Sequence, residues 1–235
     1  MPDRASGQQL RPGQTDVFGV PTRNVLQNVL DIGSHYPYNP ERLRVNVDGS
    51  RVFPEYGSVS QYNHAGPHHE LIPAQGETVS ISTAERPRYA VGFEQIVSWA
   101  ISVSRSLESG DRVRAGFFDE QDGWFIEHNG GNSSDEHVDL VTREAGTDTT
   151  VTSDVQMDDP ITNFNRYELR TAWYRVTRQL FRLSVTGAGQ QITSEIGRTS
   201  KEGGPEVGNL TVRGEITRGA SSSPITLNMG SMALL

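Results

Sequence analysis

Apolar and polar residues alternate with a period of two along most of the chain. The clearest stretch is 91–103, where Val91, Phe93, Val97, Trp99, Ile101 and Val103 share one face and only Gln95 interrupts them. Gly92, Glu94, Ser98, Ala100, Ser102 and Ser104 take the other face. Such a pattern predicts a long strand buried on one side. Val79 and Ile81 repeat it within Thr78 to Thr83, and further strands are expected at 112–118, 124–128, 137–142, 166–174, 179–186, 191–197, 209–217 and 224–229. Between them lie turn-forming runs: DEQDG at 119–123, HNGG at 128–131, TGAG at 186–189 and KEGGP at 201–205. Asp, Asn and Gly supply the backbone angles that hairpins need.

One segment departs from this period. In TRNVLQNVLDIG (22–33), Val25, Leu26, Val29 and Leu30 fall on one helical face, Thr22 can cap the start and Gly33 can end it. Residues 1–16 are polar, with Pro and Gly, and read as an arm. The expected architecture is therefore all-β. It is an antiparallel β-sandwich or jelly-roll-like single domain at 34–235, preceded at 1–33 by an N-terminal arm and one short helix that contact a neighbouring subunit.

Composition narrows the function. The 235 residues are only 34% hydrophobic, carry 24 Gly and 12 Pro, and have a formal charge of −8. So thin a core suits many half-buried strands and stabilisation by assembly as a homo-oligomer. Without cysteine there is no disulfide framework and no thiolate metal site. No run of about 18 apolar residues suggests a membrane span, the opening residues do not read as a secretory signal, and an acidic chain is a poor nucleic-acid binder. All basic residues but Lys201 are arginine. This is the mark either of a GC-rich genome or of a protein built for high salt, where the weakly hydrated guanidinium is favoured.

Candidate chemistry is sparse. No nucleophile elbow, phosphate loop, zinc-protease helix or dinucleotide fingerprint occurs, so the expectation is a protein that is not an enzyme, with no cofactor and no catalytic or metal residues assigned. His64, His68, His69 and Glu70 form the densest group of metal-ligand types, but YNHAGPHHE reads as a polar loop. Asp119, Glu120 and Asp122 before Gly123 suit either a calcium-holding turn or a plain hairpin. Trp99, Trp173, Phe117, Phe125 and Phe181 read as strand aromatics of the core, whereas Trp124, next to a turn, is the candidate for stacking on a sugar. Arg112 with Arg114, and Arg178 with Arg182, share strand faces. Together with Arg170 and Arg175 they suit ion pairs across strands or across a subunit interface.

Several blocks resemble structural proteins of tailed viruses. RVRAGFFDEQDGWFIEHNG (112–130) matches a block with a basic strand, a G-x-F-D turn and an aromatic strand. TDVFGVPTRNVLQNVLDIGSHYPYNPERL (15–43), RYELRTAWYRVTRQLFRLSV (166–185) and GGPEVGNLTVRGEIT (203–217) resemble further blocks in the same order. The resemblance implies a lectin-like β-sandwich located in a virion, in a head decoration, turret, tail, baseplate or fibre. Its partners would be copies of itself and other virion proteins. The lysine shortage adds a salt-loving archaeal host as an expectation. The alternative reading is a carbohydrate-binding adhesin that attaches to a host surface glycan.

Overall fold

The computed structural model describes residues 30–32, 41–54, 60–65, 68–84, 94–132, 134–157, 159–174, 178–186, 194–202 and 210–234. Sixteen strands run through them. The first six are β1 (Leu30–Ile32), β2 (Leu43–Val47), β3 (Ser50–Val52), β4 (Tyr62–Ala65), β5 (His68–Leu71) and β6 (Thr78–Thr83). Next come β7 (Glu94–Val103), β8 (Arg112–Phe118), β9 (Gly123–Asn129), β10 (His137–Glu144) and β11 (Thr147–Gln156). The last five are β12 (Asn165–Tyr174), β13 (Arg178–Thr186), β14 (Ser194–Glu202), β15 (Val212–Thr217) and β16 (Leu227–Leu234).

Two antiparallel sheets result. The first has the order β14-β13-β12-β7-β16-β5-β4, with β1 also paired to β16; the second has the order β11-β10-β9-β8-β15-β6-β2-β3. Successive strands form meanders at β8 to β11 and β12 to β14, while β6, β7, β15 and β16 carry the chain between sheets. This is the expected sandwich of jelly-roll kind. Val97, Trp99, Ile101 and Val103 of β7 face the core as expected, but burial is not confined to that side, because Ser98 and Ser102 on the other face are buried as well. On the inner face of the first sheet Trp99 stacks on its cross-strand partner Tyr167, and in the second sheet Phe117 stacks on Trp124 of the neighbouring strand.

Two expectations need correction. Residues 30–32 of the proposed helix are a strand, pairing Leu30 with Leu234 and Ile32 with Met232. A run of Val and Leu serves either period, and an open edge on β16 beside β5 selects the extended form. The rest of the arm and the helix candidate, 1–29 and Gly33, lie outside the described residues. The histidine segment is not a loop either. It is the hairpin β4–β5, with His64 opposite His69. Tyr62, His69 and Leu71 point inward, so a buried histidine occupies an apolar position and hides the alternation.

Tight turns set the register. Asp48–Gly49 and Ala145–Gly146 have positive φ at both positions, as a two-residue hairpin of the inverse type requires. On β8, Gly116 is needed because a Cβ there would strike the carbonyl of Trp124 and Cα of Phe125.

Candidate functional site

Among the described side chains, the outer face of the second sheet carries a dense network of charge. Successive residues of β8 and β9 point to opposite faces, so each aromatic pair splits. Phe117 and Trp124 go inward, while Phe118 and Phe125 go outward and form, with Val141, a small buried cluster separate from the core. Three arginines roof it. The guanidinium of Arg114 lies 5.1 Å from the Phe125 ring centre, that of Arg213 lies 5.4 Å from Phe118, and that of Arg143 contacts both rings.

Carboxylates bind the same arginines edge-on. Arg114 donates to Glu127 (2.6 Å) and Asp148 (2.8 Å), and it approaches Glu215 at 3.9 Å. Arg143 grips Asp148 through Nε (2.6 Å) and a terminal nitrogen (3.1 Å), and also donates to the carbonyl of Asp119. Arg213 joins Glu120 and Glu215, both at 2.6 Å. Only a planar fork can stack on a ring and pair bidentately at once, which is a physical use for arginine over lysine. Burial pushes the Asp148 carboxyl up, but the hydrogen bond from Arg143 and the charge of Arg114 hold it below the usual carboxylate range. Burial likewise disfavours the Arg143 cation, and the bond and charge of Asp148 more than reverse this.

At one end of this face lies an open depression of about 390 Å³. Its walls come from Gly110, Asp111 and Arg112 at the start of β8, from Glu127, Asn129, Gly130 and Gly131 around the end of β9, and from Thr217. The walls are braced. Asp111 accepts from the N–H groups of Gly219 and Glu108 (both 2.9 Å) and pairs with Arg105 at 2.7 Å. Burial raises the Asp111 carboxyl, and these partners outweigh it and keep it low. Asn129 accepts from the Gly131 N–H, and the Thr217 hydroxyl meets that of Thr78 at 2.9 Å. Arg112 reaches Glu127 only at 4.0 Å, and its Nε has no hydrogen-bond partner. The depression thus offers a guanidinium, a carboxylate, a hydroxyl and glycine backbone in fixed positions.

The opposite end of the sheet holds Asp119 and Asp122. Asp119 Oδ1 accepts from the N–H groups of Gln121 (2.8 Å) and Asp122 (2.9 Å), and Asp122 accepts from Ala145. Both carboxylates serve the hairpin turn. Among the described residues no group of three histidines or carboxylates is arranged to hold a metal ion.

The sequence expectations fare unevenly here. Arg112 and Arg114 do share a face, and Arg114 forms the expected cross-strand ion pairs. Trp124, the candidate sugar platform, is buried. The large hydrophobic side chains that are exposed among the described residues are Phe53 and Phe164, which the sequence did not single out. The side chains of Arg170, Trp173, Arg178, Phe181 and Arg182, and the whole of Arg175, lie outside the described part. His64, His68 and His69 come together, but His69 turns inward to Tyr62 while His68 faces out beside Glu70.

No family model matches the chain, and no curated protein matches it in sequence. Solved structures do match. The chain is similar to a β-glucanase of Bacillus licheniformis (TM-score 0.58, 9% identity, covering 87% of this chain and 96% of that one). It is also similar to the exoplasmic/lumenal domain of VIP36 bound to Ca²⁺ and Man3GlcNAc (TM-score 0.54, 11% identity, 87% of each chain). A third is the carbohydrate recognition domain of Emp46p (TM-score 0.57, 10% identity, 86% and 94%). At such identities the likeness is one of fold. It corrects one expectation all the same: the lack of a motif does not mark the chain as a non-enzyme, because its fold is shared with a glucanase as well as with carbohydrate recognition domains.

Proposed function

We propose that the chain is a saccharide-binding β-sandwich and that the depression beside Arg112, Glu127 and Thr217 is its sugar site. The observation that carries this is the braced polar lining. A saccharide presents a ring of hydroxyls, each both donor and acceptor. The guanidinium of Arg112, the carboxylate of Glu127 and the hydroxyl of Thr217 offer the complementary set. The bracing of Glu127 by Arg114 and of Thr217 by Thr78 lowers the ordering cost of binding. The volume suits one or two sugar rings. That the same fold serves a Man3GlcNAc-bound domain and a carbohydrate recognition domain supports the reading.

The test is a calorimetric titration with mannose and mixed-linkage glucose oligosaccharides. Binding is expected, and Arg112→Met should weaken it about tenfold, the worth of about one charge-assisted hydrogen bond. Its melting temperature should change little, since the Arg112 side chain is 38% exposed and meets Glu127 only at 4.0 Å. No heat with any sugar sinks the proposal. Release of reducing ends during the titration converts the reading from binding to hydrolysis.

For the setting, we propose a virion subunit that presents this site to a host surface. This rests on the sequence blocks at 15–43, 112–130, 166–185 and 203–217. None of the similar structures named above is viral. Cross-links from residues 1–33 to other particle proteins, or to a second copy, support the placement. Recovery of the chain only in particle-free cell fractions removes it.

A further inference from the structure

The outer face of the first sheet carries a different constellation. Along one row of the sheet Ala100 of β7 lies between Arg166 of β12 and the Gly230 bulge of β16. The register of β16 with β5 brings His68 beside that bulge. In the next row Glu70 pairs with Asn228, and Asn228 pairs with Ser102. The centre of this face is therefore a trough of small residues: Ala100, Ser102 and Gly230. At the bulge the β16 ladder shifts register between Met229 and Met232, which bends the strand locally.

Phe164, just ahead of β12, fills the trough. Its ring edge comes within 3.9 Å of where a Cβ on Gly230 would sit, and its centre lies 5.7 Å from that of His68. The ring thus lies by β16 and β5, and the residue keeps 37% of its surface in solvent. Phe53, the other exposed aromatic, differs, because the guanidinium of Arg51 covers it at 4.6 Å. The same and the next row of the sheet carry polar groups. Glu70 is held by Asn63 (2.8 Å) and His68 (3.4 Å), Asn228 donates to Ser102, and Arg166 donates to Ser98.

We propose that Phe164 is the platform of a second saccharide subsite, on the opposite sheet from the first. A pyranose ring has one apolar face of C–H groups and a rim of hydroxyls. A ring lying on the sheet, with a carboxylate and amides at its rim, matches both. An apolar peptide would dry Glu70, Asn228 and Arg166 without adding a hydrogen bond, whereas sugar hydroxyls can join the bonds these groups already make. The proposal extends the saccharide-binding reading but uses none of the residues of the first site, so the two can fail separately.

The experiment is a two-dimensional NMR titration of the whole chain with mannotriose and with cellotetraose. The backbone amides of His68, Glu70 and Gly230 should shift on addition of one of these sugars. Phe164→Ala should weaken that response about tenfold, Phe164→Trp should keep it, and Arg112→Met should leave it unchanged. A platform that only stabilised the fold would not distinguish sugar binding in this way. Three outcomes overturn the inference. These amides stay still with both sugars; or only the residues of the Arg112 depression shift; or Phe164→Ala abolishes a concentration-dependent dimer, which assigns the face to a second copy of the chain.

Discussion

Acid should unfold this protein well before its carboxylates titrate, because two histidines are buried in neutral form. His128 lies inside the sandwich with Nε2 3.1 Å from the Tyr167 hydroxyl, which in turn faces the Met157 sulfur. His69 meets the Tyr62 hydroxyl at 2.7 Å through Nδ1. Burial lowers His128 from 6.5 to about 4. Burial, with the like charges of His64 and His68, lowers His69 to about 4 as well. Because the folded values are depressed, the unfolded chain takes up the protons first. Stability is complete above pH 6.5, falls as the pH drops towards 4 and levels off below that. At about 1.36 kcal/mol per pH unit each histidine costs about 3 kcal/mol over the window. Two of them cost about 6 kcal/mol, comparable with the whole stability of many domains, about 5–15 kcal/mol. Asp111 and Asp148 are held low and add their loss at lower pH. Urea unfolding followed by tryptophan fluorescence measures this. Near pH 5 the slope due to these two should be about 2.7 kcal/mol per pH unit. His128→Gln places an amide near Nε2, and His69→Asn places one near Nδ1; each should remove about half of that slope. A double variant with the wild-type slope would refute the argument.

Further outcomes follow from the same packing. Trp124→Ala should cost about 3–5 kcal/mol without a selective effect on sugar affinity, since the indole is buried against Phe117; urea midpoints and titrations on the folded fraction check both. Gly130→Ala drives a methyl into the Glu108 carbonyl, which is backbone and cannot swing away. A loss of about 2 kcal/mol is expected, seen as a melting temperature about 4–8 °C lower. Arg143→Lys keeps the charge but loses the fork on Asp148 and the stacking on Phe118 and Phe125. It should cost about 1–3 kcal/mol, whereas the same change at the more exposed Arg112 should cost little in thermal unfolding.

Some elements were easy to see in the sequence because large apolar side chains line their core face at every second position. The alternation of β7 and the paired aromatics of β8 and β9 announced strands directly. β11 was missed because TDTTVTSDVQ has almost no apolar residues; as the outermost strand of its sheet it buries little and is held by its ladder to β10. The hairpin of β2 and β3 was missed although Asp48–Gly49 is a strong turn signal. Its strands are short, and β3 is an edge. In β4–β5 the inward position is filled by His69, which no apolar pattern registers.

The sites were less legible. Arg112, Glu127 and Thr217 are spread over more than a hundred positions and meet because β9, β8 and β15 are neighbours. Phe164 carries no signal in the sequence, and it meets Gly230 because β12, β7 and β16 are neighbours in the first sheet. The sequence by itself determined the all-β class, the period of two and the arginine-rich strand faces, because these depend on residues one or two positions apart. Only the tertiary structure decided which aromatics meet water and which charges meet each other, because both depend on strand order, and strand order is set by contacts between distant segments.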